Sequence, residues 1–389
     1  MENAQDHINL GTAFSLTRRY QDAVREFEKA LKLSPDNVEI HFHLGSLYSN
    51  LGKYDQAIGE YRQLLDANPG HVNAHCKLGL IFANTGRPDE AVAEYQKALE
   101  INSADSGLHN NLGDVFYKQG SMEQARNEYA AALKINPNLS EAHFKLGFIF
   151  ECQGLYPDAI REYEAALKIN PRQAAIFNIL AGVHIKLGKI SEAEADYRRA
   201  LELNTADPVT LLNLATLLMR QNKLEEAPEF LLRALKVNPA NVEGHSLLGQ
   251  IYAQLGRRDE AIAEFKRVVE LNPIDANMHK MLAFIYEQQN HIEDALKEYE
   301  QALQLLPRDL QLRLGLANMF YRSGDYPRAL LEFKEVIKLD EHQADAFLKI
   351  GNMYFKQQQN QRALEAWERS LELDPSNEIL RNNIKFIKG

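Results

Sequence analysis

With 389 residues, 45% of them hydrophobic and 25% charged, the chain has the make-up of an ordinary folded protein. A net charge of −10 argues against wrapping nucleic acid, which draws on many Lys and Arg contacts to phosphate. No run approaches the ~20 continuous apolar residues of a membrane helix, and two cysteines, Cys76 and Cys152, without a CxxC fit a reducing compartment rather than a disulfide framework.

The N-terminal MENAQDHINL lacks the basic start, apolar core and cleavage site of a signal peptide, so a cytoplasmic protein is expected, or an exported one whose leader is absent. Beyond it an alanine recurs every 34 residues without interruption: Ala23, Ala57, Ala91, Ala125, Ala159, Ala193, Ala227, Ala261, Ala295, Ala329 and Ala363. Thirteen residues before each stands a leucine, from Leu10 and Leu44 to Leu316, or finally Ile350, and a glycine or alanine follows it. Four residues after each alanine comes an aromatic (Phe27, Tyr61, Tyr95, Tyr129, Tyr163, Tyr197, Phe265, Tyr299, Phe333, Trp367), with Leu231 the exception. Proline ends eight of the repeats, from Pro35 and Pro69 to Pro375. An internal period of this length decides the fold before any other signal does.

The repeats run 4–37, 38–71, 72–105, 106–139, 140–173, 174–207, 208–241, 242–275, 276–309, 310–343 and 344–377. Each reads as two antiparallel helices, because apolar residues recur at the i, i+3, i+4, i+7 spacing of an amphipathic helix. Gly52, Gly86, Gly120, Gly154, Gly188, Asn222, Gly256, Asn290 and Gly324 supply the left-handed residue that ends the first helix. Pro157 and Pro327 then fall near the start of the second, where a missing N–H costs little. Pro228 lies deeper in its repeat, where it bends the helix unless it falls in the first turn. One such pair cannot bury its apolar face alone, and stacked neighbours do so continuously. In the tail, 378–389, Ile379, Leu380, Ile384 and Ile387 share helical spacing and predict a capping helix.

These motifs resemble the tetratricopeptide repeat (TPR) family over nearly the whole chain. The resemblance implies an all-α fold: a right-handed α-solenoid superhelix of eleven helix-turn-helix TPR repeats plus a C-terminal capping helix. It also implies that the first helix of each pair lines a concave groove that binds peptides or partner proteins.

Catalytic chemistry finds no footing. There is no GxSxG, GxxxxGK[ST], HExxH or GxGxxG after a strand, and the carboxylate pairs, such as Glu225 and Glu226, read as solvated helix faces. His7, His41, His75, His109, His143, His245 and His279 share one repeat position. Successive repeats stack at ~8–10 Å while metal–nitrogen bonds are ~2.0–2.1 Å, so these histidines read as packing residues with satisfied ring nitrogens. No metal, no cofactor and no enzymatic activity are expected.

Function is therefore assigned to the groove. Carrying the family's groove positions onto this sequence gives Asn50, Lys77, Asn84, Asn110, Asn111, Asp114, Tyr117, Lys118, Phe144, Lys145, Phe148 and Asn178, with Ile179 beside them. Further along it gives Asn213, Met219, Arg220, Gln250, Lys280, Phe284, Asn318, Tyr321, Arg322, Asn352 and Lys356. Asparagine amides can grip a peptide backbone, since each donates and accepts, and the aromatics and methionines offer apolar pockets. Basic residues favour the later rungs (Lys186, Arg220, Arg322, Lys356). The partner implied is a protein or peptide, extended or helical, acidic with apolar anchors. Neither nucleic acid nor membrane insertion is expected, and self-association stays open. A stand-alone scaffold or adaptor leads; the alternatives are the recognition arm of an enzyme such as a glycosyltransferase, or an exported scaffold for polysaccharide or pilus assembly.

Overall fold

The structure, a computed structural model, describes residues 3–388. Regular structure among them is entirely helical, and packing gathers the chain into two compact units, Met1–Leu203 and Asn204–Gly389. The first unit holds six pairs: α1 (Ala4–Leu16) with α2 (Tyr20–Leu33), α3 (Glu39–Asn50) with α4 (Tyr54–Ala67), α5 (Val72–Asn84) with α6 (Pro88–Ile101), α7 (Ser106–Lys118) with α8 (Met122–Ile135), α9 (Ser140–Cys152) with α10 (Tyr156–Ile169), and α11 (Ala174–Lys186) with α12 (Ile190–Leu203). The second holds α13 (Pro208–Arg220) with α14 (Ala227–Val237), α15 (Val242–Gln254) with α16 (Arg258–Leu271), α17 (Ala276–Gln288) with α18 (Ile292–Leu305), α19 (Leu310–Ser323) with α20 (Tyr326–Leu339), and α21 (Ala344–Lys356) with α22 (Asn360–Leu373), followed by α23 (Glu378–Lys388). Within each unit, helices that follow one another in the chain pack together. This is the TPR α-solenoid arrangement.

The local causes are visible at the helix ends. Several first helices begin on a side chain that accepts from the first turn, as Asp105 does from Leu108, Asn241 from Gly244 and Asp309 from Leu312, which satisfies backbone donors left open there. Four second helices carry proline in their first turn, at Pro88, Pro157, Pro228 and Pro327. Pro228 thus bends nothing: α14 starts at Ala227 and is 11 residues long, against 14 for α8 or α10.

The recurring small residue after each leucine has a direct packing reason. A Cβ placed on Gly113 would lie 2.7 Å from Tyr129 Cε1, so the ring of the second helix rests on the bare backbone of the first. Tyr61, Tyr95, Tyr129 and Tyr163 are all fully buried in this way. Burial of such rings adds to the drive for pairing.

Between paired helices a single residue takes positive φ. Gly52, Gly86, Gly120, Gly154, Gly188, Gly256 and Gly324 do so, as do Asn222 and Asn290. Arg18 (φ 59°) and Gln358 (φ 60°) occupy the same place in the first and last pairs, and nothing in their chemistry announces it. An L side chain is strained there, so Gln358→Gly is expected to stabilise α21 and α22 by about 1 kcal/mol. Chemical unfolding of the variant checks this, and an unchanged or lowered midpoint would rule it out.

At the C-terminus, α23 buries Leu380 and Ile384 against Ala363 and Trp367, with Ile387 packed alongside. Ile379, which helical spacing grouped with them, is instead 76% exposed. No helix of the described residues is long and apolar enough to cross a membrane.

Candidate functional site

All the groove residues named from the sequence lie on first helices of the pairs. In the first unit Asn50 ends α3, Lys77 and Asn84 lie on α5, and all three are exposed. On α7, Asn110, Asn111 and Asp114 are half-buried while Tyr117 and Lys118 are exposed. Phe144, Lys145 and Phe148 on α9 and Asn178 on α11 are half-buried.

Six of these converge. Asp114, Tyr117, Lys118, Phe144, Lys145 and Phe148, joined by Tyr129 and Ile179, line an open pocket of about 370 Å³ between α7, α9 and α11. Its walls are rings: Tyr117 meets Phe148 edge-on at 6.0 Å, and Phe144 tilts against Tyr163 at 5.9 Å. Its polar side is a closed cluster. The Tyr129 hydroxyl donates to Asp114 Oδ1 at 2.6 Å, and Lys145 Nζ reaches the same carboxylate at 2.7 Å and Glu141 at 2.7 Å. Burial, and Asp114 after it, pushes the Tyr129 phenol well above the ordinary tyrosine range, so the hydroxyl keeps its proton and stays a donor. Tyr129 belongs to the ring series that packs each pair together, and for that reason the sequence does not mark it as a pocket wall.

In the second unit Asn213 and Arg220 are exposed and Met219 half-buried on α13; Gln250 on α15 and Lys280 on α17 are half-buried, and Phe284 is 54% exposed. Gln250 and Lys280 come together with Met278 and Met281 around an open cleft. On α19 Asn318 and Tyr321 are half-buried and Arg322 exposed; on α21 Asn352 is half-buried and Lys356 exposed.

Several of these groups are already engaged. Asn352 accepts from Trp367 Nε1 at 3.0 Å, and Asn318 accepts from Lys349 Nζ at 2.7 Å, so the two amide oxygens serve the fold. The Asn110 amide oxygen is buried with no partner among the described residues. The later basic rungs are paired too. Lys186 binds Glu151 at 2.8 Å, Arg322 donates to Asn290 at 2.7 Å, and Lys356 donates to the Tyr326 hydroxyl at 2.5 Å. Each of these three cations thus has a partner inside the protein, a carboxylate at 2.8 Å for Lys186 and at 3.5 Å for Arg322 but a hydroxyl for Lys356.

The histidine series has a partner that position counting overlooked. Each Nδ1 lies 2.5–2.7 Å from the glutamate 19 residues on, from His7 and Glu26 through His75 and Glu94 to His279 and Glu298. Five of the rings also place Nε2 at 3.0–3.4 Å from a carbonyl of the preceding loop, Pro69, Ser103, Pro137, Pro239 or Pro273. In the tenth repeat Arg313 makes the same two contacts, to Glu332 at 2.7 Å and the Pro307 carbonyl at 2.9 Å. These glutamates tie the second helix of a pair to the first. Their own 34-residue recurrence was the available signal. Among the described residues no group of three His, Cys, Asp or Glu is gathered as a metal ion requires.

Helix pairs of this length, with a ring resting on a small residue in all but the seventh, define a tetratricopeptide-repeat protein. A family model described as cilia and flagella-associated protein 70 C-terminal domain matches residues 59–272, more than half the chain, and the chain belongs to the tetratricopeptide-repeat family that it represents. Other tetratricopeptide-repeat models match residues 17–78, 276–309, 317–358 and 344–377. None of the curated proteins compared matches the chain. Among solved structures it is similar to the C-terminal part of a TPR repeat-containing protein from Cytophaga hutchinsonii, at 15% identity and a TM-score of 0.55, covering 61% of this chain and 98% of that one. It is similar also to YrrB, described as a TPR protein with an unusual peptide-binding site, at 23% identity and a TM-score of 0.43, covering 47% of this chain and 94% of that one. A third, MamA, shares 24% identity at a TM-score of 0.40, covering 42% of this chain and 95% of that one.

Proposed function

We propose that this chain is a non-catalytic scaffold or adaptor that holds a segment of a partner protein, acidic with apolar anchors, in the groove of its first unit. One observation carries the reading: the open pocket between α7, α9 and α11 presents Tyr117, Phe144, Phe148 and Ile179 to solvent together. A concave site of mostly apolar lining with few polar groups is what a bound side chain needs. Tetratricopeptide repeats generally mediate protein–protein interaction, which supports the reading without naming the partner.

The test compares proteins captured from native lysate by the wild type, by Tyr117→Ala/Phe148→Ala, and by Leu331→Ala as a surface control in the second unit. Circular dichroism first establishes that all three fold. Loss of a defined partner in the double variant alone is expected. Retention of every partner by the folded double variant would move the working surface elsewhere and end this reading.

A further inference from the structure

We propose that the pocket between α7, α9 and α11 reads two features at once, a bulky apolar side chain and a carboxylate beside it, with Lys118 as the receptor of the carboxylate. This rests on the groove reading above and narrows it to one recognition unit.

The case comes from the charge left over once internal pairing is complete. Around the pocket the acidic groups are engaged, Asp114 and Glu141 sharing one ammonium. Asp114 takes the Tyr129 hydroxyl and the Lys145 ammonium. Glu141 takes Lys145 as well. Glu151 takes the Tyr163 hydroxyl at 3.0 Å and Lys186 at 2.8 Å. A cationic partner would have to compete with these ammonium groups.

Lys118 stands differently. It lines the pocket, is exposed, and makes no hydrogen bond or ion pair among the described residues. Lys77 on α5 is exposed and unpaired in the same sense. The unpaired charged side chain that lines the pocket is therefore a cation. It sits on α7 in the first unit, and of the four later basic residues only Arg220 is without an internal partner. A space of about 370 Å³ stands at the small end of ligand sites, which run ~300–1,000 Å³, and suits one bulky side chain rather than an extended apolar stretch. An apolar anchor alone would not explain why the cation at its rim is left unpaired; an anchor carrying a carboxylate uses both.

The probes are three small molecules that share one ring: indole-3-propionate, its amide, and tryptamine. Methyl NMR of the full chain follows the Ile179 signal during titration with each. The propionate is expected to shift Ile179 and to bind about two- to five-fold tighter than the amide, the advantage of one partly exposed ion pair, with tryptamine weakest. Lys118→Gln is expected to bring the acid down to the level of the amide. Phe148→Ala is expected to weaken all three. Equal binding of the three probes, or an advantage of the acid that survives Lys118→Gln, would overturn the carboxylate receptor and leave the apolar pocket standing. If no probe moves Ile179, the pocket itself fails as a binding site, and with it the groove reading on which this inference rests.

Discussion

Replacing Tyr129 by alanine is expected to destabilise the first unit by about 3–5 kcal/mol, the range for deleting a buried aromatic ring. The ring is 1% exposed and lies on Gly113, whose missing Cβ leaves no atom to fill the space that truncation would open. Its hydroxyl is a separate matter. It donates to Asp114, and Asp114 holds Lys145, whose ammonium also sits 5.7 Å from the Tyr129 ring centre. Tyr129→Phe removes only the hydroxyl bond. Asp114 is partly exposed and keeps Lys145, so about 1 kcal/mol is expected for that change. A repeat array opens through its neighbours rather than all at once, so the informative measurement is hydrogen exchange resolved along the chain. Protection should fall in α7, α8 and α9 of Tyr129→Ala and hold in the second unit. If the alanine and phenylalanine variants prove equally stable, the ring is not what fastens α8 to α7.

The comparison of sequence with structure turns on what kind of relation each feature depends on. Helix pairing was legible because it rests on relations within one repeat: Gly113 and Tyr129 are 16 residues apart in the sequence, and the same spacing recurs until the pattern is unmistakable. The left-handed turn residue was legible where glycine or asparagine occupies it. At Arg18 and Gln358 it was not, because there the geometry of the pair imposes the conformation on a residue that does not favour it. The groove's location followed from the family's positions, but the state of its side chains did not. Lys145 finds Asp114 31 residues away, Lys186 finds Glu151 35 away, and Lys356 finds Tyr326 30 away. These spacings scatter around the repeat length, since side chains reach diagonally across neighbouring helices. Counting charges at fixed positions cannot tell a cation already engaged by a neighbouring helix from one still free, and so pointed to the later rungs.

His143→Ala is expected to cost about 2 kcal/mol, and His143→Arg close to nothing. The ring's two nitrogens face two acceptors, Glu162 at 2.6 Å through Nδ1 and the Pro137 carbonyl at 3.0 Å through Nε2. A carbonyl and a carboxylate accept and do not donate, so the site calls for two donors; imidazole supplies two only as its cation, and guanidinium always does. Arg313 shows that the fold admits this exchange, since it spans the same pair of acceptors between α19 and α20. Alanine at 143 removes a charge-assisted bond, typically ~1.5–3 kcal/mol, and leaves Glu162, four-fifths buried, facing nothing. Removing Glu162 as well should therefore recover part of the loss, and a double-mutant cycle with Glu162→Ala measures how much. Chemical unfolding of the three variants and the double variant decides the point. A His143→Arg protein as unstable as His143→Ala would mean that the imidazole's shape, and not its pair of donors, holds α10 to α9.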